Sequence, residues 1–131
     1  MSVLSGKKIL LGISGGIAAY KSPLIVRLLI SLGAKVKVIM TPSSKDFVTP
    51  LTLSSLSKHR VYSTFTEESI DNPIWNDHVA LGKWADLLLI APATSNSISA
   101  MVNAKCNNLL IATYLSCTCP VYICPAMDLD M

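Results

Sequence analysis

Glycine and hydroxyl side chains near the N-terminus form a pattern that could bind an anion. Ser14, Gly15 and Gly16 follow an apolar run at residues 9–13 and precede a long segment with helical periodicity. Glycine lets the backbone approach a ligand closely, and the free N–H groups at a helix start attract negative charge. The hydroxyl of Ser14 adds a donor. The pattern predicts a phosphate-binding loop, while a glycine turn that only connects strand to helix is the simpler alternative.

Three later segments carry polar residues where a predicted strand ends. Thr41 and Ser43 follow the predicted strand at residues 35–40, residues 94–97 follow the one that begins at Leu87, and residues 125–128 follow the last. The carboxyl ends of parallel strands lie at one edge of a sheet and border one crevice. A dinucleotide site would have an acidic residue about twenty positions after the glycines. The second strand ends in Met40 and Thr41 instead, which favours a mononucleotide over NAD.

The elements that position these loops follow from periodicity and from proline and glycine positions. Strands are predicted at residues 8–13, 35–40, 61–62, 87–91 and 121–124, with the fourth ending at Pro92. Helices are predicted at residues 17–32, 51–56, 79–84 (a helix or turn), 95 or 96 to 102, and 107–116, with a loop at 67–78. Pro23 indicates a kink or a true start near Ser22, and Gly33 a C-terminal cap. This order predicts an α/β fold with a doubly wound parallel sheet and helices on both faces.

Composition excludes several function classes. The 131 residues suit one domain, and 51% hydrophobic against 15% charged residues fits strands buried on both faces. The longest apolar run, residues 87–93, is too short to span a bilayer, and the first residues lack the order of a signal peptide. A net charge of +3 and 6% aromatic residues argue against nucleic acid. We therefore expect a cytoplasmic protein without a membrane or nucleic-acid partner.

Histidine and cysteine are the remaining candidates for chemistry. His59 lies between Lys58 and Arg60 and is expected to be solvated. His78 by itself fits a solvated loop residue better than a catalytic one. Cysteines occur at positions 106, 117, 119 and 124, and the C-x-C pair has no second pair or nearby histidine to complete a zinc site. We expect no metal and reduced cysteines in or near the core.

Four motifs together resemble the flavin-containing cysteine decarboxylases. They are GISGGIAAYK at residues 12–21, His78 ahead of WAD at 84–86, APATSNS at 91–97 and PAMDLDM at 125–131. The resemblance covers essentially the whole chain, and four motifs in order are far more specific than one. It implies a flavodoxin-like fold, FMN as cofactor, and homotrimers or multiples of trimers with active sites at subunit contacts. The implied reaction is decarboxylation of 4′-phosphopantothenoylcysteine to 4′-phosphopantetheine in coenzyme A biosynthesis.

The resemblance also implies roles for individual residues. His78 matches the family's catalytic histidine and would transfer a proton. Asp128 and Met131 fall at substrate-binding positions, and Asp128 is also a catalytic candidate. The residues implied to hold FMN are Ser14, Gly15, Gly16, Thr41, Ser43, Thr94, Ser95, Asn96, Ser97 and Ala126.

The sequence departs from the family pattern in two ways. The family usually has asparagine where this chain has Asp128, and an ionised aspartate accepts hydrogen bonds only and would repel a substrate carboxylate. Asp128 could be protonated, could accept from a substrate amide, or could leave the site inactive. Residues 1–131 also contain no match to the family's cysteine-bearing substrate lid. We expect a single flavoprotein domain without that lid or a ligase domain.

Three other functions remain open. The first is decarboxylation of peptides that end in cysteine, since substrate choice resides largely in the lid. The second is a flavin prenyltransferase, which the segments at residues 18–21 and 125–131 fit less well. The third is a flavin-binding subunit without catalysis.

Overall fold

The computed structural model describes residues 3–67 and 74–130, and its central element is a parallel sheet of four strands. The strands of this sheet are β1 (Lys8–Ile13), β2 (Lys35–Met40), β5 (Leu87–Ala93) and β6 (Val121–Pro125). Two short strands, β3 (Thr66–Glu67) and β4 (Ile74–Trp75), form a separate antiparallel pair. The helices are α1 (Ser22–Ser31), α2 (Pro50–Ser57), α3 (His78–Trp84), α4 (Ser95–Val102) and α5 (Leu109–Ser116), with 3₁₀ turns at Ile17–Lys21 and Pro42–Asp46.

The strand order β2-β1-β5-β6 places a switch point beside β1. The chain passes from β1 to β2 on one side, then returns to the other side of β1 for β5. Ile9 accordingly pairs with Val36 and with Leu87. Crossover connections leave in opposite directions at such a point, which opens a crevice at the carboxyl ends of the strands. The glycine loop after β1 therefore lies where open α/β sheets bind their ligands.

The hydrophobic core lies on both faces of the sheet. Successive strand residues face opposite sides, and both Leu10 and Leu11 are fully buried. Leu11 packs with Val26 of α1 and Leu53 of α2, while Leu10 packs with the group around α5. The sheet and the helices on its two faces form three layers, which confirms the predicted flavodoxin-like, doubly wound fold. Among the described residues, no helix is both long enough and apolar enough to cross a membrane.

The first predicted helix is two elements. Residues Ile17–Lys21 form a 3₁₀ turn, and α1 begins at Ser22 with Pro23 in its first turn. Proline is tolerated there because the first N–H groups of a helix have no intrahelical acceptor. The predicted start near Ser22 is confirmed. Gly33 follows α1 with φ of 95°, a left-handed conformation that glycine adopts readily.

The prediction that the strand beginning at Leu87 ends at Pro92 is wrong. β5 continues through a cis Ala91–Pro92 peptide to Ala93, with a shift of register against β6 between Ile90 and Ala93. Proline lacks an N–H and is accommodated in sheets at such irregularities. The cap of the next helix is Thr94 rather than Ser95 or Asn96. β6 likewise runs one residue further than predicted, to Pro125.

The predicted loop at residues 67–78 contains regular structure at both ends. Its first residue belongs to β3, and β4 occupies Ile74–Trp75. His78 is the first residue of α3, so it lies in a helix rather than a loop. The predicted strand at residues 61–62 is a single bridge between Tyr62 and Ile39, and α2 and α5 each differ from prediction by one or two residues at their ends.

The cysteines divide into two groups. Cys106 and Cys124 are exposed, so the expectation that they lie in or near the core is wrong. Cys117 and Cys119 are partly buried after α5 and pack against the core. Burial, followed by the neighbouring Cys119, raises the pKa of the Cys117 thiol to about 11.

Candidate functional site

Backbone and hydroxyl hydrogen bonds join the loop after β1 to the ends of the neighbouring strands. The backbone N–H of Ser14 donates to the Pro92 carbonyl at 3.3 Å, and its hydroxyl donates to the same oxygen. The Ser14 hydroxyl accepts from the Thr94 N–H at 3.1 Å. Through these bonds Ser14 holds the loop of β1 against that of β5, and its contact with a phosphate stays a prediction.

The carboxyl ends of the outer strands β2 and β6 are hydrogen-bonded to the ends of β1 and β5. The Thr41 N–H donates to the Ile13 carbonyl at 2.9 Å, and the Ala126 N–H donates to the Ala93 carbonyl at 3.1 Å. The four loops predicted to converge therefore do so through direct contacts between strand ends.

Two adjoining cavities lie at this edge. The first, called the inner cavity, has a volume of about 290 Å³. Its wall consists mainly of hydroxyl and amide side chains: Gly15, Thr41, Pro42, Ser43, Thr94, Asn96, Ser97, Ala100, Asn107 and Asn108. The second, called the outer cavity, has a volume of about 450 Å³. Its wall is more apolar: Gly15, Gly16, Ile17, Ala18, Phe47, Thr94, Ser95, Asn96, Ala126, Met127 and Asp128.

Gly15, Thr94 and Asn96 line both cavities, which are therefore neighbours. A Cβ added at Gly15 would meet Ser43, with its Cβ only 2.7 Å away and its backbone carbon 3.0 Å away. Any side chain at this position would collide with Ser43 in the turn after β2, at a point that lines both cavities. The absence of a side chain at Gly15 is thus a steric requirement of the site.

Two helix starts border the inner cavity. The Thr94 hydroxyl accepts from the Ser97 N–H at 3.4 Å to cap α4, and the Asn108 side-chain oxygen accepts from the Ile111 N–H at 3.0 Å to cap α5. The positive ends of both helix dipoles therefore point to the same region. Among the described lining residues of both cavities, Asp128 is the only ionisable side chain, and it belongs to the outer one. The inner cavity is suited to an anion, and the outer cavity to a flat apolar group next to a polar one.

His78 lies apart from both cavity walls. α3 leads to Asp86, whose carboxylate accepts from the N–H of Lys8 at the start of β1 at 2.9 Å. The helix therefore runs antiparallel to the strands, with His78 at the end nearer their carboxyl edge. Its ring meets the ring of Phe65 edge-on, with centroids 6.3 Å apart.

The structure thus groups most of the predicted residues. Gly15, Gly16, Thr41, Ser43, Thr94, Ser95, Asn96, Ser97, Ala126 and Asp128 line one or both cavities. Ser14 is hydrogen-bonded to Pro92 and Thr94 next to the cavities. His78 lies outside both cavity walls, and Met131 falls outside the described residues. Within those residues, no group of three or more His, Cys, Asp or Glu side chains could hold a metal ion.

Several lining residues were not predicted. Asn107 and Asn108 belong to the inner cavity, and Ile17, Ala18 and Phe47 to the outer one. The consecutive asparagines just before an apolar helix were an available signal, because asparagine is a strong N-cap residue. Phe47 had no such signal, since an apolar residue after a turn is most often a packing residue.

Comparison with known proteins identifies relatives along the whole chain. A family model described as Flavoprotein matches residues 2–131. The coenzyme A biosynthesis bifunctional protein CoaBC of Bacillus subtilis (strain 168) is 45% identical over 130 residues, which are 98% of this chain and 31% of that protein. The chain therefore spans about a third of the length of the curated relatives it matches.

Solved structures share the fold. The FMN-dependent cysteine decarboxylase SpaF superposes with a TM-score of 0.86 at 27% identity, covering 98% of this chain and 73% of that one. A cysteine-to-serine mutant of PPC decarboxylase, complexed with pantothenoylaminoethenethiol, superposes with a TM-score of 0.75 at 28% identity. That match covers 95% of this chain and 69% of the other.

Proposed function

Because this chain belongs to the Flavoprotein family, we propose that it binds FMN in the two cavities and decarboxylates 4′-phosphopantothenoylcysteine to 4′-phosphopantetheine. The observation that carries the proposal is the match of 98% of this chain, at 45% identity, to a protein named for coenzyme A biosynthesis. The similarity to SpaF and to PPC decarboxylase supports a flavin-dependent decarboxylase.

The residues present fit FMN. A phosphate needs donors and no nearby carboxylate, and the described wall of the inner cavity offers hydroxyls, amides and two helix starts without an acidic side chain. The flavin ring needs an apolar slot with a few polar groups, and Ile17, Phe47 and Met127 line the outer cavity beside Asn96. Thr41, Ser43 and Ser97 would hold the phosphate, and the Gly15 backbone would lie between the two parts of the cofactor.

The protein contributes position and proton transfer to the proposed reaction. When bound, FMN supplies the oxidation and re-reduction of the cysteinyl group that allow carbon dioxide to leave. We assign proton transfer to His78, because it matches the catalytic histidine of the family that the sequence resembles and because histidine is the side chain that most often transfers protons in enzymes. Asp128 borders the outer cavity and would contact the substrate there. Met131 belongs to the same motif.

We also propose that the protein is a homo-oligomer, a trimer or a multiple of trimers. An apolar stripe of Ile17, Tyr20, Leu24 and Leu28 runs along the 3₁₀ turn and α1, and these side chains are 58–77% exposed. Ile17 also lines the outer cavity, so the stripe and the site are continuous. A second copy on this stripe would border the outer cavity, which agrees with the active sites at subunit contacts that the resemblance implies.

One variant tests the cofactor site. Gly15→Val should yield colourless protein, because the new side chain meets Ser43 at a position that lines both cavities. Ser31→Ala, an exposed change on α1, is the matched control and should keep the flavin. The visible spectrum and mass spectrometry of the released cofactor provide the measurement. A fully flavinated Gly15→Val protein would refute the placement.

The substrate is tested by carbon dioxide release. Flavinated protein should release carbon dioxide from 4′-phosphopantothenoylcysteine and much more slowly from a peptide ending in cysteine. The peptide reaction is the second candidate, because the chain superposes on SpaF with a TM-score of 0.86 and on PPC decarboxylase with 0.75. The name of SpaF specifies a cysteine decarboxylase and no phosphopantothenoyl group. A preference for the peptide would replace the proposed substrate, and release from neither would indicate a flavin-binding protein without this catalysis.

A further inference from the structure

A buried side chain, that of Asn76, attaches the residues just before His78 to the rest of the protein. Asn76 is 1% exposed. Its side-chain N–H₂ donates to the Thr64 carbonyl at 2.7 Å, and its side-chain oxygen accepts from an Arg60 Nη2 at 2.6 Å. Its backbone N–H donates to the Phe65 carbonyl at 2.7 Å. A buried amide with both ends bonded specifies one position for the backbone that carries it.

The residues that follow transmit this position to His78. Asp77 caps α3, because one carboxylate oxygen accepts from the N–H groups of Val79 at 3.0 Å and Ala80 at 3.1 Å. His78 is the first residue of that helix. Its backbone is thus held by the hydrogen bonds of Asn76, two residues before it, and by the first turn of α3, which Asp77 caps.

Arg60 is itself held in place by the sheet. Its guanidinium lies over the Tyr62 ring, with the central carbon 4.7 Å from the centroid. Tyr62 is hydrogen-bonded to β2 through Val38 at 2.9 Å and Met40 at 2.8 Å. A guanidinium donor makes a stronger bond than a neutral one, and stacking limits the freedom of its long side chain.

We infer that Arg60 and Asn76 are positioning residues for His78, which they connect to the edge of the sheet at β2. The inference rests on the proposed role of His78 in proton transfer. Neither residue needs to contact the substrate. Proton transfer requires a fixed distance between donor and acceptor, and displacement by about 1 Å can lower the rate about a hundredfold. Loss of the Arg60 bond would leave the Asn76 oxygen buried without that charged donor.

Arg60→Met is the variant of choice, because Arg60 is exposed and its replacement should leave the fold intact. We expect kcat to fall between about tenfold and a hundredfold, with KM and FMN content unchanged. Lys83→Met is the matched control, since Lys83 is an exposed cation on the same helix as His78. Arg60→Lys retains a donor and should recover part of the lost turnover.

A double variant separates positioning from general support. If Arg60 acts through His78, Arg60→Met should cause no further loss of turnover in a His78→Asn background. Losses that multiply would overturn the inference, as would Arg60→Met turnover equal to that of Lys83→Met.

A spectroscopic measurement keeps the inference separate from the proposed function. The chain has two histidines, so His78→Asn assigns their imidazole signals in a proton–carbon correlation spectrum. The His78 signal should shift or broaden in Arg60→Met and remain unchanged in Lys83→Met. An unchanged His78 signal would overturn the positioning role even in an active enzyme. A shifted signal in a protein without decarboxylase activity would refute the proposed function and leave the connection from Arg60 to His78 standing.

Discussion

Asp128 is the residue whose charge matters most in the proposed site, because it is the only ionisable side chain among the described residues lining the two cavities. The proposed substrate carries a carboxylate and a phosphate. An exposed aspartate about 4 Å from one of these charges would oppose binding by about 1 kcal/mol in a water-like dielectric. An asparagine oxygen would still accept a hydrogen bond from a substrate amide, so replacing Asp128 by asparagine removes the charge and keeps the acceptor.

Asp128→Asn should therefore lower KM for 4′-phosphopantothenoylcysteine by about fivefold at low ionic strength, since about 1.4 kcal/mol corresponds to a factor of ten. FMN content should stay the same. Added salt should reduce the difference between the two proteins, because it screens exposed charges. Steady-state kinetics at low and high salt provide the measurement, and equal KM values at low salt would contradict the repulsion.

The four thiols should differ in reactivity. At pH 8 a thiol with a pKa of about 11 is ionised in about one molecule in a thousand, and the thiolate is the reactive form. Cys117 should therefore react with a maleimide far more slowly than the exposed Cys106 and Cys124, and its rate should rise with pH up to about 11. Peptide mass spectrometry after timed labelling measures each site. If Cys117 is labelled as fast as Cys106 in folded protein, the raised pKa of Cys117 is contradicted. Labelling in urea is the control, because all four thiols of the unfolded chain should react at equal rates.

At the scale of elements, β1 and α5 approach each other closely at Gly12. A Cβ there would collide with the Leu110 side chain, whose Cδ2 would be 3.2 Å away, and Leu110 is fully buried. Glycine in a strand interior costs stability through chain entropy. The close approach of a helix explains why it is nevertheless present at this position.

Gly12→Ala should lower the free energy of unfolding by about 1–3 kcal/mol, the usual cost of overpacking a core. Combining it with Leu110→Val should cost less than the sum of the two single losses, because the smaller side chain makes room for the added methyl group. Urea unfolding of the four proteins in this cycle gives the coupling. Leu53→Val, which lies on the opposite face of the sheet, should combine additively with Gly12→Ala. Equal coupling in both pairs would contradict a local collision.

At the scale of the whole molecule, the proposed assembly concerns the apolar stripe of Ile17, Tyr20, Leu24 and Leu28. Leu24→Glu with Leu28→Glu should convert a trimer or larger species into smaller ones, since two charges would be buried without partners in the contact. Val102→Glu is the matched control, because Val102 is 78% exposed and belongs to α4, which contributes no residue to the stripe. Sedimentation equilibrium at micromolar concentration provides the measurement. A wild-type protein that is only monomeric there would count decisively against the assembly.

The sequence by itself determined the parts of this protein that depend on local pattern. The strand at Lys8–Ile13, the helix beginning at Ser22 and the strand at Lys35–Met40 follow from periodicities of two and 3.6 residues and from the position of Pro23. The convergence of the polar loops was also predictable. Parallel strands place their carboxyl ends at one edge whatever the details of packing.

The tertiary structure decided what depends on contacts between distant residues. Ser14 and Pro92 are 78 positions apart, and their contact holds the loop after β1 against the end of β5. Cys106 and Cys124 are exposed although their residue type favours burial, because exposure depends on which elements cover a position. For the same reason Phe47 lines the outer cavity, although its place in the sequence is typical of an ordinary packing residue. Arg60 contacts Asn76, just before His78, in a way that the sequence does not indicate. The strand order β2-β1-β5-β6 and the bridge at Tyr62 bring together residues that no local pattern relates.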